Sequence, residues 1–156
     1  MDRIELVQEY VDAALERAPH PVLRQHGYCH LYAVSQNCAL LALKRGEDPE
    51  LSAIAGLLHD ISTCTTGDSK HHAEKGALMA KGVLKTLTVF TEEEMDLISS
   101  AIAHHSDKGR IDAPLDEILK DADVLHHCLY SPLEPPAPHE SARFALLKKE
   151  LGLERV

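Results

Sequence analysis

Apolar residues recur along the chain at intervals of three and four, the spacing of one face of an α-helix, and no stretch alternates as a strand would. Ile4, Val7, Val11 and Ala14/Leu15 mark a first helix. After a break around Pro19–Pro21, His30, Val34, Cys38 and Leu41 share one stripe of a second helix, which Gly46 closes. Asp48 as N-cap and Pro49 at the first helical position open a third. That helix runs through LSAIAGLLHD, a segment so apolar that it must be buried nearly all round. The polar Ser62–Ser69 segment reads as a connection. A fourth helix, from about Lys70 to Leu87, carries His72, Gly76, Ala80, Val83 and Leu87 on one face. Thr91 and Glu94 form a capping box for a fifth, through Met95, Ile98, Ile102 and His105. Another begins near Pro114 and passes through Leu115, Ile118, Leu119, Ala122 and Val124. SPLEPPAP (131–138) is a proline-stiffened, extended connector, and a short helix over 139–151 ends the pattern. The prediction is an all-α fold: a compact bundle of six to seven helices forming one domain over 1–156.

Composition narrows the function. With 156 residues, 44% hydrophobic and 26% charged, the chain suits one soluble domain with a single core. No apolar run approaches the roughly 18 residues of a membrane span. The N-terminal MDRIELVQEY has acidic residues where a signal peptide would be apolar, so no membrane association and a cytoplasmic location are expected. A formal charge of −9 argues against nucleic acid held by a general basic surface. Cys29, Cys38, Cys64 and Cys128 form no CxxC pair and read as small core residues. Trp is absent and aromatics are 4%, so stacking platforms for bases are scarce. Oligomeric state is open, and a homo-oligomer is compatible.

Eleven histidines are the outlying feature. His30, His59, His72 and His105 each sit near the end of a different helix, on or beside its apolar side. Asp60 adjoins His59 in LLHDI, and Asp123 lies in the apolar part of KDADVL. A buried carboxylate costs several kcal/mol unless it is paired or metal-bound, and LLHDI offers no Lys or Arg. Imidazole with carboxylate is a donor set for divalent Fe, Mn, Co, Ni or Zn, with Mg admissible at one site. Four histidines and two aspartates suffice for two adjacent cations if one carboxylate bridges them. His26, four residues before His30, can face the same cleft. His71, His126 and His127 read as exposed or supporting residues. Gly76 reads as a close-packing position.

The ordered set of His30 in CHLYAV, His59–Asp60 in GLLHDI, His72 in HHAEKGALMA, His105 in AIAHHS and Asp123 in KDADVL resembles the HD superfamily of metal-dependent phosphohydrolases over roughly 26–130. The HHAEKGA and AIAHHS segments are most similar to bacterial HD-type dinucleoside-tetraphosphate hydrolases. The resemblance implies an HD-domain bundle. It implies one metal on His30, His59, Asp60 and Asp123, with Asp60 bridging to a second on His72 and His105. His104 is a further candidate ligand, since some relatives use both histidines of such a pair. Asp60 and His72 are the residues expected to serve catalysis. Many members have Gly-Lys after the His-Asp-Ile run; here Ser62–Thr63 stand there, so that cation is missing. Lys75, Lys108 and Arg110 are the remaining candidates for contact with a substrate phosphate.

The implied reaction is hydrolysis of a phosphoester or phosphoanhydride bond in a small, nucleotide-like substrate by a metal-activated hydroxide. The alternatives are a non-hydrolytic nucleotide-sensing module and a dinuclear iron oxygenase. The first is expected beside a signalling domain, for which 156 residues leave no room. The second is expected to surround an organic substrate with aromatic and basic residues, in which this chain is poor.

Overall fold

The computed structural model describes residues 2–154, which form eight helices and no strand. They are α1 (Arg3–Glu16), α2 (Pro21–Arg45), α3 (Pro49–Leu58), α4 (Ile61–Thr66), α5 (His72–Leu87), α6 (Glu92–His104), α7 (Pro114–Tyr130) and α8 (Ser141–Glu150). No helix among these residues is long and apolar enough to cross a membrane. The helix starts follow local chemistry. Pro21, Pro49 and Pro114 occupy first turns, and Asp48 accepts from the amides of Glu50 and Leu51. Asp2–Glu5 and Thr91–Glu94 close reciprocal capping boxes.

The helix count exceeds the expected six to seven because Ser62–Ser69 is not simply a loop. Residues Ile61–Thr66 form α4, with Ile61, Ser62 and Cys64 buried. Composition misleads here because two of the hydroxyls are satisfied within the helix, while Thr63 Oγ1 is buried with no hydrogen-bond partner among the described residues. Thr65 donates to the carbonyl of Ile61 and Thr66 to that of Ser62, both at 2.7 Å. A second departure concerns the LSAIAGLLHD helix, which stops at Leu58. Asp60 leaves helical geometry (φ −115°, ψ 16°) before the chain turns into α4. His59 and Asp60 thus lie at a corner rather than within a helix. The 131–138 connector also folds more than expected, with a turn closed by the Glu134 amide on the Ser131 carbonyl at 3.0 Å.

Helix α3 is the axis of the bundle. Every residue from Leu51 to Leu58 is buried, and α1, α2, α6 and α7 all pack around it. Arg3 ties α1 to both α3 and α6 through Glu50 and Glu94. Two glycines set the closest approaches. A Cβ on Gly56 would lie 2.7 Å from Ser35 Cα, so α2 and α3 touch backbone to backbone. A Cβ on Gly76 would lie 2.6 Å from the His59 carbonyl oxygen, which brings α5 against the corner after α3. At the other end, Arg143 of α8 donates to the carbonyls of Lys108 and Arg110 and pairs with Glu117 and Asp121. The fully buried Lys120 binds Asp112 at 2.6 Å. These contacts fix the 105–113 loop that follows α6.

The two kinds of glycine should respond oppositely to alanine. Gly56→Ala must push α2 from α3 and should cost roughly 1–3 kcal/mol in urea denaturation. Gly82 lies exposed within α5 with nothing near its absent Cβ. Gly82→Ala should stabilise by about 0.5–1 kcal/mol. A neutral Gly56→Ala would contradict the proposed α2–α3 contact.

Candidate metal centre

The α3–α4 corner, the middle of α2, the start of α5, the end of α6 and the middle of α7 converge on one point. His30, His59, His105 and Asp123 are buried there, and His72 and Asp60 are partly open to a cleft of about 190 Å³. Asp60 occupies the N-cap position of α4 but makes no capping hydrogen bond. Its carboxylate instead faces imidazoles on both sides. Oδ2 lies 3.5 Å from His30 Nε2 and 3.8 Å from His59 Nε2. Oδ1 lies 3.4 Å from His105 Nε2 and 3.9 Å from His72 Nε2. Asp123 Oδ1 lies 3.6 Å from His30 Nε2 and 3.8 Å from His59 Nε2.

Backbone carbonyls orient three of the rings. Nδ1 of His59, His72 and His105 faces the carbonyl three residues earlier: Gly56 at 2.8 Å, Ser69 at 3.1 Å and Ile102 at 2.7 Å. A carbonyl only accepts, so each Nδ1 carries the proton. In the neutral ring each Nε2 then presents a lone pair to the centre. Asp60 Oδ1 and Asp123 Oδ1 are buried without a hydrogen-bond partner among the described residues. Lone pairs facing unpartnered carboxylate oxygens leave a place that a cation, or a donor such as a proton or water, would fill.

The spacings fit cations. Donors about 2.1 Å from one ion, at 90–109° to one another, lie about 3.0–3.4 Å apart. His30 Nε2 and His59 Nε2 are 3.0 Å apart, and the other separations above reach 3.9 Å. Donor atoms of His30, His59 and Asp60, and separately of Asp60, His72 and His105, lie within 4.8 Å of one another. Asp60 belongs to both groups.

Electrostatics match this arrangement. Burial alone would raise the Asp60 carboxyl, but when His59, His105 and His30 carry protons towards it their charge and hydrogen bonds outweigh burial and hold it well below the usual carboxylate range, the same effect a cation there would have. Asp123 is likewise opposed by burial and held low by Lys108 and His59. Lys108 Nζ is 2.6 Å from Asp123 Oδ2 and 2.8 Å from the His105 carbonyl. Burial keeps the His30 imidazole below its ordinary value.

The six residues singled out as ligands are brought together, and other candidates are not. His104 turns to Asp116, with Nδ1 2.6 Å from Oδ2, in a separate group with Asp112. Lys75 is exposed and paired with Asp68, and Arg110 is exposed and paired with Asp112. Of the three basic residues proposed for phosphate contact, only Lys108 lines the cleft. Cys29 is exposed, unlike the three buried cysteines. His26 and His126 flank His30 with ring centroids 5.4 and 4.8 Å away, and His71 is exposed with positive φ. His127, read as exposed or supporting, is exposed, and its Nε2 is 3.3 Å from Asp123 Oδ1. The signal was available: four residues along a helix from a buried aspartate lies on the same face.

Comparison with known proteins agrees with this geometry. A family model described as HD domain matches residues 27–127. A crystal structure described as a predicted HD superfamily hydrolase, from an uncultured Thermotogales bacterium, superposes with a TM-score of 0.57 and 25% identity. It aligns over 96% of this chain and 87% of that one. Ribonuclease Y of Lawsonia intracellularis is 31% identical over 97 residues. That match covers 62% of this chain but only 17% of the relative's length.

Removing bound metal should lower stability, because ligands from several helices gain their partner only in the folded state. With free metal at about 100 times Kd the loss is about 2.7 kcal/mol, on the order of 5–10 °C in Tm by calorimetry. Asp60→Ala should abolish most metal uptake by elemental analysis while His104→Ala retains it. The reverse pattern would place the metal at the Asp112–Asp116 group.

Proposed function

The chain belongs to the HD-domain family, and on that premise we propose that it hydrolyses a phosphoester or phosphoanhydride bond in a small, nucleotide-like substrate. One observation carries the reading: a half-buried carboxylate, Asp60, presents its two oxygens to two different sets of histidines. His30, His59, Asp60 and Asp123 would hold one divalent cation, and Asp60, His72 and His105 a second. Such ions lower the pKa of a coordinated water towards neutrality and neutralise phosphoryl oxygens as charge develops. Imidazole with carboxylate suits Fe, Mn, Co, Ni or Zn, with Mg admissible at one site.

The protein's own groups supply position. His30, His59 and Asp123 close the inner wall and exclude water, whereas His72 stands at the cleft. Lys108, anchored on Asp123 and lining the same cleft, is placed to meet a phosphate oxygen. A neighbouring cavity of about 140 Å³ is lined by His26, Cys29, His126, His127 and Tyr130. Burial and the imidazoles of His30 and His127 lower His126 to about 4, so it is uncharged near pH 7. Uncharged ring faces beside a phosphate-sized cleft suit a planar base, and this supports a nucleotide over a simple sugar phosphate. Ribonuclease Y shares only the 97-residue segment, and the −9 charge here disfavours a long polyanion.

The reconstituted protein should turn over at least one member of a panel of mononucleotides, dinucleoside polyphosphates, guanosine tetraphosphate and sugar phosphates. It should do so without oxygen or reductant, and inorganic phosphate should inhibit competitively. Stoichiometric nucleotide binding without turnover would replace hydrolysis with sensing. Oxidation dependent on iron and oxygen would replace it with oxygenation, and preference for an RNA oligomer would contradict the small-substrate reading.

A further inference from the structure

His127 and Glu140 form a unit that the six-residue set leaves out. Glu140 is 4% exposed and precedes α8, where the connector returns the chain to α7. A carboxylate so buried requires a partner. Its Oε1 lies 2.7 Å from His127 Nδ1. This is the same device that orients His59, His72 and His105, with a carboxylate replacing the backbone carbonyl. Nδ1 donates, and Nε2 faces the centre with its lone pair, 3.3 Å from Asp123 Oδ1. Asp123 Oδ1 has no hydrogen-bond partner among the described residues although three imidazole Nε2 atoms lie within 3.8 Å of it, those of His30, His59 and His127. Lone pairs crowded on an unpartnered anionic oxygen call for a cation among them. Donor atoms of His30, Asp123 and His127 lie within 4.8 Å of one another.

We propose that His127 is a further metal ligand, binding through Nε2 the cation shared by His30 and Asp123, with Glu140 as its positioning residue. The inference rests on reading the cluster as a metal centre. It adds to that centre a segment beyond the family match, which ends at residue 127. The proline-rich connector then has a structural task, because its path delivers Glu140 to the ring.

The test uses the metal-free full chain titrated with Co²⁺, read by calorimetry and by the visible ligand-field spectrum. Wild type should bind tightly. His127→Ala should weaken one class of Co²⁺ site by about tenfold or more and change the spectrum, as a lost nitrogen donor requires. Glu140→Gln, which keeps the shape but weakens the orienting bond, should weaken the same class by about tenfold. Circular dichroism of the metal-free variants checks folding. Unchanged affinity and spectrum in a folded His127→Ala would overturn the proposal alone. Absence of Co²⁺ binding by wild type would overturn the metal centre with it.

Discussion

The architecture turns on the partnering of one carboxylate. Asp60 is neither capping its helix nor paired with Lys or Arg; imidazoles surround it instead. Leaving such a group buried and unmet costs several kcal/mol, which a compact domain tolerates only where something else meets the charge. Three of the rings that point Nε2 inward, those of His59, His72 and His105, are held there by hydrogen bonds to backbone carbonyls, so the backbone fixes part of the donor set. A centre built this way is largely preorganised: with separations reaching 3.9 Å, only small shifts would bring the donors onto a cation.

Bringing five helices to one point constrains the packing. Gly56 and Gly76 serve that purpose, one letting α2 meet α3 and the other letting α5 meet the His59 carbonyl. The C-terminal half contributes differently, through charge. Arg143, Arg45 and Lys120 pin α8 and the 105–113 loop onto α7. Lys108 is thereby held against Asp123. Hydrophobic burial forms the bundle, and polar contacts aim the residues within it.

Much of this is legible in the sequence because the helices are strongly periodic and their starts carry caps and prolines. The six proposed ligands stand out because histidine and aspartate on apolar faces conflict with burial. What escaped has physical causes. Helix α4 looks polar, yet Thr65 and Thr66 satisfy their hydroxyls on the preceding turn. The break between His59 and Asp60 leaves no mark, because no glycine or proline announces it. His127 read as exposed or supporting, and it is exposed; what the sequence did not reveal is its contact with Glu140, 13 residues away, which forms only through the fold. Lys75 and Arg110 have the right charge, but local aspartates hold them outside the cleft.

The central claim is that Asp60 lies between two cations. Anomalous diffraction at the Mn edge from crystals grown with Mn²⁺ tests it most directly. Two peaks about 3.5–4 Å apart are expected, as in two-metal sites, one beside each Asp60 oxygen. A single peak not touching Asp60, or density only at His104, Asp112 and Asp116, would contradict it.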